Sequence, residues 1–450
     1  MLKTKLKKYY LKTFGCQSNM ADSDRIRWIV ESSGYRPTLK EDAADLIIYN
    51  TCSVRQSAED RIFGRNKILK RLKENNPCLK TVLTGCMMHY DANHLKKRLP
   101  HIDIFLPITD LARLPAKIGA KTKIRPEEYL SIPPKHEFPF RAWIPISYGC
   151  NNFCTFCIVP FARGREYSRP KNEIIKEVKD AIRSGHKEIW LLGQNVNSYG
   201  IIEKTAWEGK TRKNALPKIQ KGCVTFAKLI REINALPGKF WIRFTSAHPK
   251  DFSDDLIIAM TECKKFPKYI NLPVQSGDNA VLKKMNRNYT REDFIKLVRK
   301  IRAVMPGIAI STDTIVGFPG ETKKEFMNTA SLYKQIGFDM AFIAEYSTRS
   351  GTAASLAFAD DVSHEEKERR RKYLNEILKK SAMQSGRPIL HQTMELLVDE
   401  YKNGRFFGKS PQNKNVEIKD VNLNQKIKIG DFVKIEITDI SPWKWEGRLI

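Results

Sequence analysis

The stretch Gly149-Cys150-Asn151-Asn152-Phe153-Cys154-Thr155-Phe156-Cys157 puts three cysteines on one short loop, spaced Cys-x3-Cys-x2-Cys, with no fourth cysteine near it. A structural zinc site takes four ligands, as paired cysteines or as cysteines with histidines. Three thiolates suit a [4Fe–4S] cluster better: they hold three irons and leave the fourth open to chelate a substrate or cofactor. The plainer reading is three buried cysteines that merely lie close. A preceding glycine, a strand-like run Ala142–Tyr148 leading in and the polar residues between the thiols weigh against it.

A second set of three is spread along the first part of the chain. The nine cysteines are Cys16, Cys52, Cys78, Cys86, Cys150, Cys154, Cys157, Cys223 and Cys263. The odd number, the 450-residue length and the lack of an apolar segment after the basic start Met1–Lys8 speak against a disulfide framework and for reduced thiols. Cys16, Cys52 and Cys86 each follow a strand-like segment: Tyr9–Phe14, Asp45–Tyr49 and Lys80–Thr84. In an open parallel sheet the carboxyl ends of the strands share one edge, where ligands bind. Three thiolates far apart in sequence are therefore expected to converge there as a second cluster site. A single cysteine at a strand end is more often a small core residue; the repetition carries the inference. Cys78, in the loop Asn75–Cys78, does not share the pattern and is set aside.

The elements that must position these residues alternate in type. Over 1–125, strands separated by helices, including a basic helix from about Ala58 to Lys73 and a fourth strand Ile102–Phe105, imply an open parallel sheet with flanking helices. A Pro-rich connection, Ile132–Pro139, marks a boundary. Over 136–375, six strand-like segments alternate with helices: Trp143–Tyr148, Glu188–Leu192, Phe240–Thr245, Tyr269–Val274, Ile308–Val316 and Ala341–Tyr346. Six such units imply an incomplete (β/α)6 barrel with its chemistry at the carboxyl ends of the strands. Polar residues follow on that face: Gln194 and Asn195, Ser246 and His248, Gln275, Gly317 and Tyr346, with Asp313 on the fifth strand. Each alone reads as an ordinary turn, and His248 as structural; together they suggest a pocket for a polar substrate and a cofactor.

Over 385–450 the pattern changes to short strands and turns, which fits a small five-stranded antiparallel β-barrel of the nucleic-acid-binding kind. Phe406, Phe407, Trp443 and Trp445 are either base-stacking or core residues, and Lys409, Lys414, Lys419, Lys444 and Arg448 suggest an RNA-facing surface. The polar, lysine-rich stretch 201–222 reads as a surface insertion, touching nucleic acid or simply solvated.

Lysine and arginine total 79 against 50 acidic residues, a net charge of +29 that favours a polyanionic partner, above all nucleic acid. With 41% hydrophobic residues the chain is globular. No apolar run reaches the ~18–20 residues that cross a bilayer, so no membrane partner and a cytoplasmic location are expected.

Taken together, these features resemble the radical-SAM methylthiotransferases. Thr13-Phe-Gly-Cys16-Gln17, Asn50-Thr-Cys52-Ser-Val-Arg55 and Thr84-Gly-Cys86 match motifs of that family's first domain. The run Gly149–Pro170 looks like the branch that modifies tRNA, and Leu272–Gly277 and Asp313–Thr322 add to it. The resemblance implies a methylthiotransferase domain (1–125), a radical-SAM core (136–375) and a TRAM-like RNA-binding barrel (385–450). It implies two [4Fe–4S] clusters and S-adenosylmethionine (SAM). The cluster on Cys150, Cys154 and Cys157 would cleave SAM; the one on Cys16, Cys52 and Cys86 would present sulfur. Gln194, Asn195, Ser246, Gln275, Asp313, Gly317 and Tyr346 would line the SAM and substrate pocket. The implied reaction puts a methylthio group on C2 of N6-(dimethylallyl)adenosine beside the anticodon. The implied partners are the tRNA anticodon stem-loop, an electron donor such as flavodoxin or ferredoxin, and a sulfur source, with the chain a monomer. Two alternatives stay open: methylthio transfer to threonylcarbamoyladenosine or to a ribosomal-protein aspartate, and a non-catalytic iron–sulfur RNA-binding protein.

Overall fold

The computed structural model describes residues 6–53, 56–120, 129–202, 218–419 and 426–450. Val54 and Arg55, and residues 203–217 of the lysine-rich stretch, lie outside the described residues. The chain forms two compact units. The first comprises Met1–Glu137, Tyr148–Asn151 and Cys157–Tyr167; the second comprises Phe138–Ser147, Asn152–Phe156 and Ser168–Ile450. The short segment after Cys157 thus belongs with the N-terminal sheet, and the C-terminal barrel belongs with the central one.

The first unit is built on five parallel strands: β1 (Lys8–Phe14), β2 (Arg36–Pro37), β3 (Leu46–Thr51), β4 (Lys80–Gly85) and β5 (Ile104–Leu106), in the order β2-β1-β3-β4-β5. β3 is central and buried along its whole length, as its unbroken apolar start dictates. Strand alternation splits its side chains between two cores. Leu46 and Ile48 pack with Ile26, Ile29 and Val30 of the helix Gln17–Ser32. Ile47 and Tyr49 pack with Ile62, Leu69 and Leu72 on the opposite face. The expected single helix over 58–73 is two helices, Gln56–Phe63 and Asn66–Asn75. The break falls at Gly64 and Arg65, where glycine is a poor helix former. Arg65 turns instead to Glu41 and to the Tyr49 hydroxyl.

In the second unit the parallel strands are β6 (Arg141–Pro145), β9 (Glu188–Leu192), β12 (Trp241–Phe244), β13 (Tyr269–Asn271), β14 (Ala309–Val316) and β15 (Met340–Glu345). Between them lie the two-residue strands β7 (Ser147–Tyr148), β8 (Tyr167–Ser168), β10 (Ile201–Ile202) and β11 (Lys218–Ile219). The six longer strands form two parallel three-stranded sheets, β12-β9-β6 and β13-β14-β15. Helices return the chain between them, their apolar stripes buried in one core: Ile174, Val178 and Ala181 from one helix, Phe294, Val298 and Ile301 from another. Capping boxes at Thr290 and Thr322 start the helices Arg291–Val304 and Lys323–Ile336.

The chain ends in a closed barrel of β16 (Thr393–Lys402), β17 (Arg405–Lys409), β18 (Asn415–Lys419), β19 (Phe432–Ile440) and β20 (Lys444–Leu449), ordered β16-β17-β18-β20-β19. It is not wholly antiparallel: β18 runs parallel to β20. The other four pairings are antiparallel. A closed ring with an odd number of strands cannot alternate direction all the way round, so one parallel seam is unavoidable. This barrel packs at the amino ends of the central strands. Arg243 donates through Nη2 to the Ser410 carbonyl at 3.0 Å. Through Nε it bonds Glu188 at 2.7 Å. Lys414 Nζ donates to the Asp339 carbonyl at 2.8 Å and to that of Pro442 at 3.0 Å. Among the described residues no helix is long and apolar enough to cross a membrane.

Candidate active site

The register of the first sheet places Phe14 beside Thr51 and Thr51 beside Gly85, so β1, β3 and β4 end level with one another. Cys52 and Cys86 are the next residues after β3 and β4, and Cys16 lies two past β1, at the N-cap of the helix Gln17–Ser32. Neighbouring strands are about 4.8 Å apart, and the thiols meet: Cys52 is hydrogen-bonded to both Cys16 and Cys86. Those bonds push the Cys16 and Cys86 thiols below their ordinary acidity range, and the charge of Arg163 acts in the same sense on both. The same bonds drive Cys52 up.

A buried amide network ties the three strand ends together beneath the thiols. Asn19 donates through Nδ2 to Asn50 Oδ1 at 3.1 Å and to the Thr51 carbonyl at 3.0 Å. Its Oδ1 accepts from the Cys16 backbone N–H at 3.3 Å and from Cys16 Sγ at 3.5 Å. Asn50 Nδ2 donates back to the Asn19 carbonyl at 2.7 Å, and Thr51 Oγ1 donates to the Thr84 carbonyl at 2.7 Å. At Gly85 φ is +93°, and an added Cβ would stand 2.3 Å from the Thr51 carbonyl oxygen; only glycine fits.

The segment after Cys157 completes this site. Arg163 ends the short helix Val159–Arg163 and is buried; its Nε donates to Cys86 Sγ at 3.4 Å and its Nη2 to Asp22 Oδ2 at 2.6 Å. Asp22 also accepts from the buried Tyr129 hydroxyl. The Cys150 backbone N–H donates to the Gly164 carbonyl at 3.2 Å, and Gly149, at φ +74°, has no room for a Cβ beside the Arg165 carbonyl.

The second triad divides between the units, Cys150 and Cys157 with the first and Cys154 with the second. In the second unit the segment Lys284–Arg287 grips the loop around Cys154. Thr155 bonds the Lys284 carbonyl through Oγ1 at 2.9 Å and the Met285 carbonyl through its backbone N–H at 3.1 Å. Asn286, in the left-handed region at φ +57°, donates to the carbonyls of Asn152 at 3.2 Å and Phe153 at 3.0 Å. Arg287, buried, donates from Nη1 to Cys154 Sγ at 3.4 Å.

The polar residues expected on the carboxyl face of the central barrel fall into two groups. Asn195 is buried and donates to Asp251 at 2.7 Å, while its Oδ1 has no hydrogen-bond partner among the described residues. Gln194 beside it is half-buried. Asn271 links Asp313, at 3.0 Å from its Nδ2, to the Ser246 backbone N–H, at 3.4 Å from its Oδ1. Ser246 and Gln275 both take positive φ, +62° and +66°, and Gln275 bridges to β14. Gly317 and Tyr346 are held differently. The Gly317 N–H is bound by the Glu321 carboxylate at 2.7 Å, and Tyr346 packs edge-on against Phe318 in a small apolar cluster. His248 is structural: burial first, then the Arg287 and Lys250 charges, keep its imidazole neutral, and its Nδ1 accepts from the Lys250 N–H at 3.2 Å.

On the C-terminal surface one expectation is corrected, that of Lys414 as an RNA-facing lysine, and for Trp445 the core alternative holds. Trp445 is a core residue of the barrel, and Lys414 is buried against two carbonyls, so neither faces solvent. Lys419 and Lys444 pair with Glu417, and Arg448 pairs with Glu436. Trp443 and Tyr401 are the exposed aromatics of this barrel.

Asn19, Asp22, Arg163 and Arg287 carry the sites beyond what sequence patterns picked out. Arg163 does lie within the family-like run Gly149–Pro170, but nothing in that run marks it as a thiol contact, and Arg287, two residues after Met285, carried no sequence signal.

Among the described residues no group of three or more His, Cys, Asp or Glu side chains is placed to hold a single metal ion. Ligands of a four-iron cluster bind different irons, so the three converging thiols of Cys16, Cys52 and Cys86 fit that group, whereas a structural zinc site takes four ligands on one ion.

The family model described as Radical SAM superfamily matches residues 144–333, and that described as Uncharacterized protein family UPF0004 matches residues 8–107. The tRNA-2-methylthio-N(6)-dimethylallyladenosine synthase of Acetivibrio thermocellus is 39% identical over 464 residues, covering 99% of this chain and 92% of the relative. That of Carboxydothermus hydrogenoformans is 39% identical over 460 residues, covering 99% of both. Among solved structures, a radical S-adenosylmethionine methyltransferase, TsrM, from Kitasatospora setae shares the fold, with a TM-score of 0.55 at 15% identity over 78% of this chain and 77% of that one. Matched over nearly its whole length at this identity, the chain belongs to the radical SAM family of tRNA-2-methylthio-N(6)-dimethylallyladenosine synthases.

Proposed function

We propose that the chain transfers a methylthio group to C2 of N6-(dimethylallyl)adenosine beside the anticodon of tRNA. The observation that carries this reading is the meeting of Cys16, Cys52 and Cys86 at the level ends of three adjacent parallel strands, in a family built for this reaction. The adenine C2–H is neither acidic nor electrophilic, so ordinary acid–base catalysis cannot open it. Two [4Fe–4S] clusters and SAM supply the radical and sulfur chemistry when bound. Cys150, Cys154 and Cys157 would hold the cluster that takes SAM; Cys16, Cys52 and Cys86 would hold the cluster that presents sulfur.

The chain's own residues hold these groups and their surroundings. Asn19 and Asn50 fix the spacing of the first three thiols, Arg163 lies against Cys86, and Lys284–Arg287 fix the loop around Cys154. Asn195, with Gln194, Ser246, Gln275 and Asp313, would bind the polar parts of SAM and substrate. The substrate base would be turned out of its stack to react. The net charge of +29 supports tRNA binding. The C-terminal barrel would act as the TRAM-like RNA-binding domain, through Trp443 and Tyr401 rather than Trp445. A flavodoxin or ferredoxin would deliver the electron, a separate sulfur source would refill the first cluster, and the protein would work as a cytoplasmic monomer.

The test is the nucleoside profile of tRNA, by mass spectrometry, from cells with and without this protein. Loss of 2-methylthio-N6-(dimethylallyl)adenosine is expected, with its unmodified precursor accumulating. An unchanged signal, or a loss confined to methylthio-threonylcarbamoyladenosine, overturns the substrate. In vitro, Cys52→Ala should still cleave SAM but insert no sulfur, and Cys154→Ala should do neither.

A further inference from the structure

Each triad has one buried guanidinium against one of its sulfurs, and the two are compensated differently. Arg163 donates to Cys86 Sγ and is also paired with the Asp22 carboxylate at 2.6 Å. Arg287 donates to Cys154 Sγ, and its other N–H groups go to neutral oxygens, the Tyr289 hydroxyl at 3.0 Å and the Pro273 carbonyl at 3.1 Å. Among the described residues none of its bonds is to a carboxylate. Two arginines in the same role at the same distance from sulfur therefore bring different net charges to their sites.

One-electron reduction of a cluster adds one negative charge. A positive charge close by in a poorly screened interior stabilises the reduced form, as do N–H bonds to the ligating sulfur. A carboxylate on the same guanidinium cancels most of that gain. Resting on the reading that both triads hold clusters, we propose that Arg287 and the Arg163–Asp22 pair set the two reduction potentials apart, so that a single electron settles on the cluster of Cys150, Cys154 and Cys157. The step is electron transfer alone. A one-electron reductant loses one electron, that cluster gains it, and no bond forms or breaks and no proton moves. The electron then stands where SAM is cleaved, not where sulfur is presented. Arg163 and Arg287 are positioning residues in this account.

The experiment is a redox titration of the anaerobically reconstituted full-length protein, with dithionite as reductant, followed by electron paramagnetic resonance and iron content. Each cluster is read alone in a background where the other triad is replaced by alanine. The cluster of Cys150, Cys154 and Cys157 is expected to reduce at the higher potential. Arg287→Gln should lower that potential by at least tenfold in the reduction equilibrium, about 59 mV for one electron. Arg287→Lys, which keeps the charge, should stay nearer the original value. Asp22→Asn should raise the potential of the other cluster by a comparable factor. Loaded clusters whose potentials do not move in Arg287→Gln, or in Asp22→Asn should Arg287→Gln fail to load, overturn the proposal. Absence of one cluster's iron and signal from the unaltered protein would instead refute the two-cluster reading on which it rests.

Discussion

At the scale of single residues, the geometry of the first triad depends on groups other than its own thiols. Gly85 is the sharpest case: a side chain there meets the Thr51 carbonyl oxygen at 2.3 Å and must also take φ +93°. Both penalties fall one residue before Cys86, on the strand end that sets its height beside Cys52. Gly85→Ala is expected to cost at least about 1–3 kcal/mol through backbone strain. It should also displace Cys86 from the Arg163 N–H. The readout is iron bound per chain in the Cys150, Cys154 and Cys157 alanine background, which keeps only the first triad. A fall to under half of the parent value is expected, and full loading with unchanged thermal stability would show that the strand end tolerates a Cβ. Such a glycine is visible in sequence as Thr84-Gly85-Cys86, yet nothing in the letters separates it from the chain's many turn glycines. Its role lies in the neighbouring strand's carbonyl.

At the scale of elements, the sequence was readable wherever period and flanking turns agreed. All six central strands and the level strand ends under Cys16, Cys52 and Cys86 follow from apolar runs ending in Gly, Asn or Thr. Long-range polar contacts were not readable, because a side chain's partner depends on how two distant elements pack. The thiol contacts of Arg163 and Arg287 belong to that class, as does Lys414, an apparent surface lysine that caps two carbonyls. The segment Lys284–Arg287 illustrates the consequence. Asn286 spends a left-handed conformation on two bonds to the Cys154 loop. Asn286→Ala removes both bonds and adds the left-handed penalty, together about 2–4 kcal/mol against the gripped loop. Iron transfer to a chelator from the protein carrying only Cys150, Cys154 and Cys157 should quicken by tenfold or more. Asn286→Gly, which removes the bonds but not the conformation, should fall between. Equal rates in all three proteins would mean that this grip does not hold the loop.

At the scale of the whole molecule, the second unit is two barrels fastened by buried charge. Glu188 accepts from Arg243, and also from Arg141. Arg243 passes on to the Ser410 carbonyl of the C-terminal barrel, with Trp241 edge-on to Phe432 at 5.1 Å between ring centres. A fastening of this kind fixes any RNA held on the C-terminal barrel relative to the central strands, because the link contains no linker to bend. It also makes the two barrels one cooperative unit. Arg243→Met leaves Glu188 with a single cation and the Ser410 carbonyl short of a donor, and breaking a buried pair costs about 3–5 kcal/mol. Hydrogen exchange should then show strands β16 to β20 losing protection together with β6, β9 and β12. The apparent affinity for tRNA should fall, and its dependence on salt should flatten if the barrel's cations are no longer held in register. Protection lost from the central strands while the C-terminal barrel keeps its own would show two independent domains, and the chain would then meet its RNA as a tethered pair rather than as one surface.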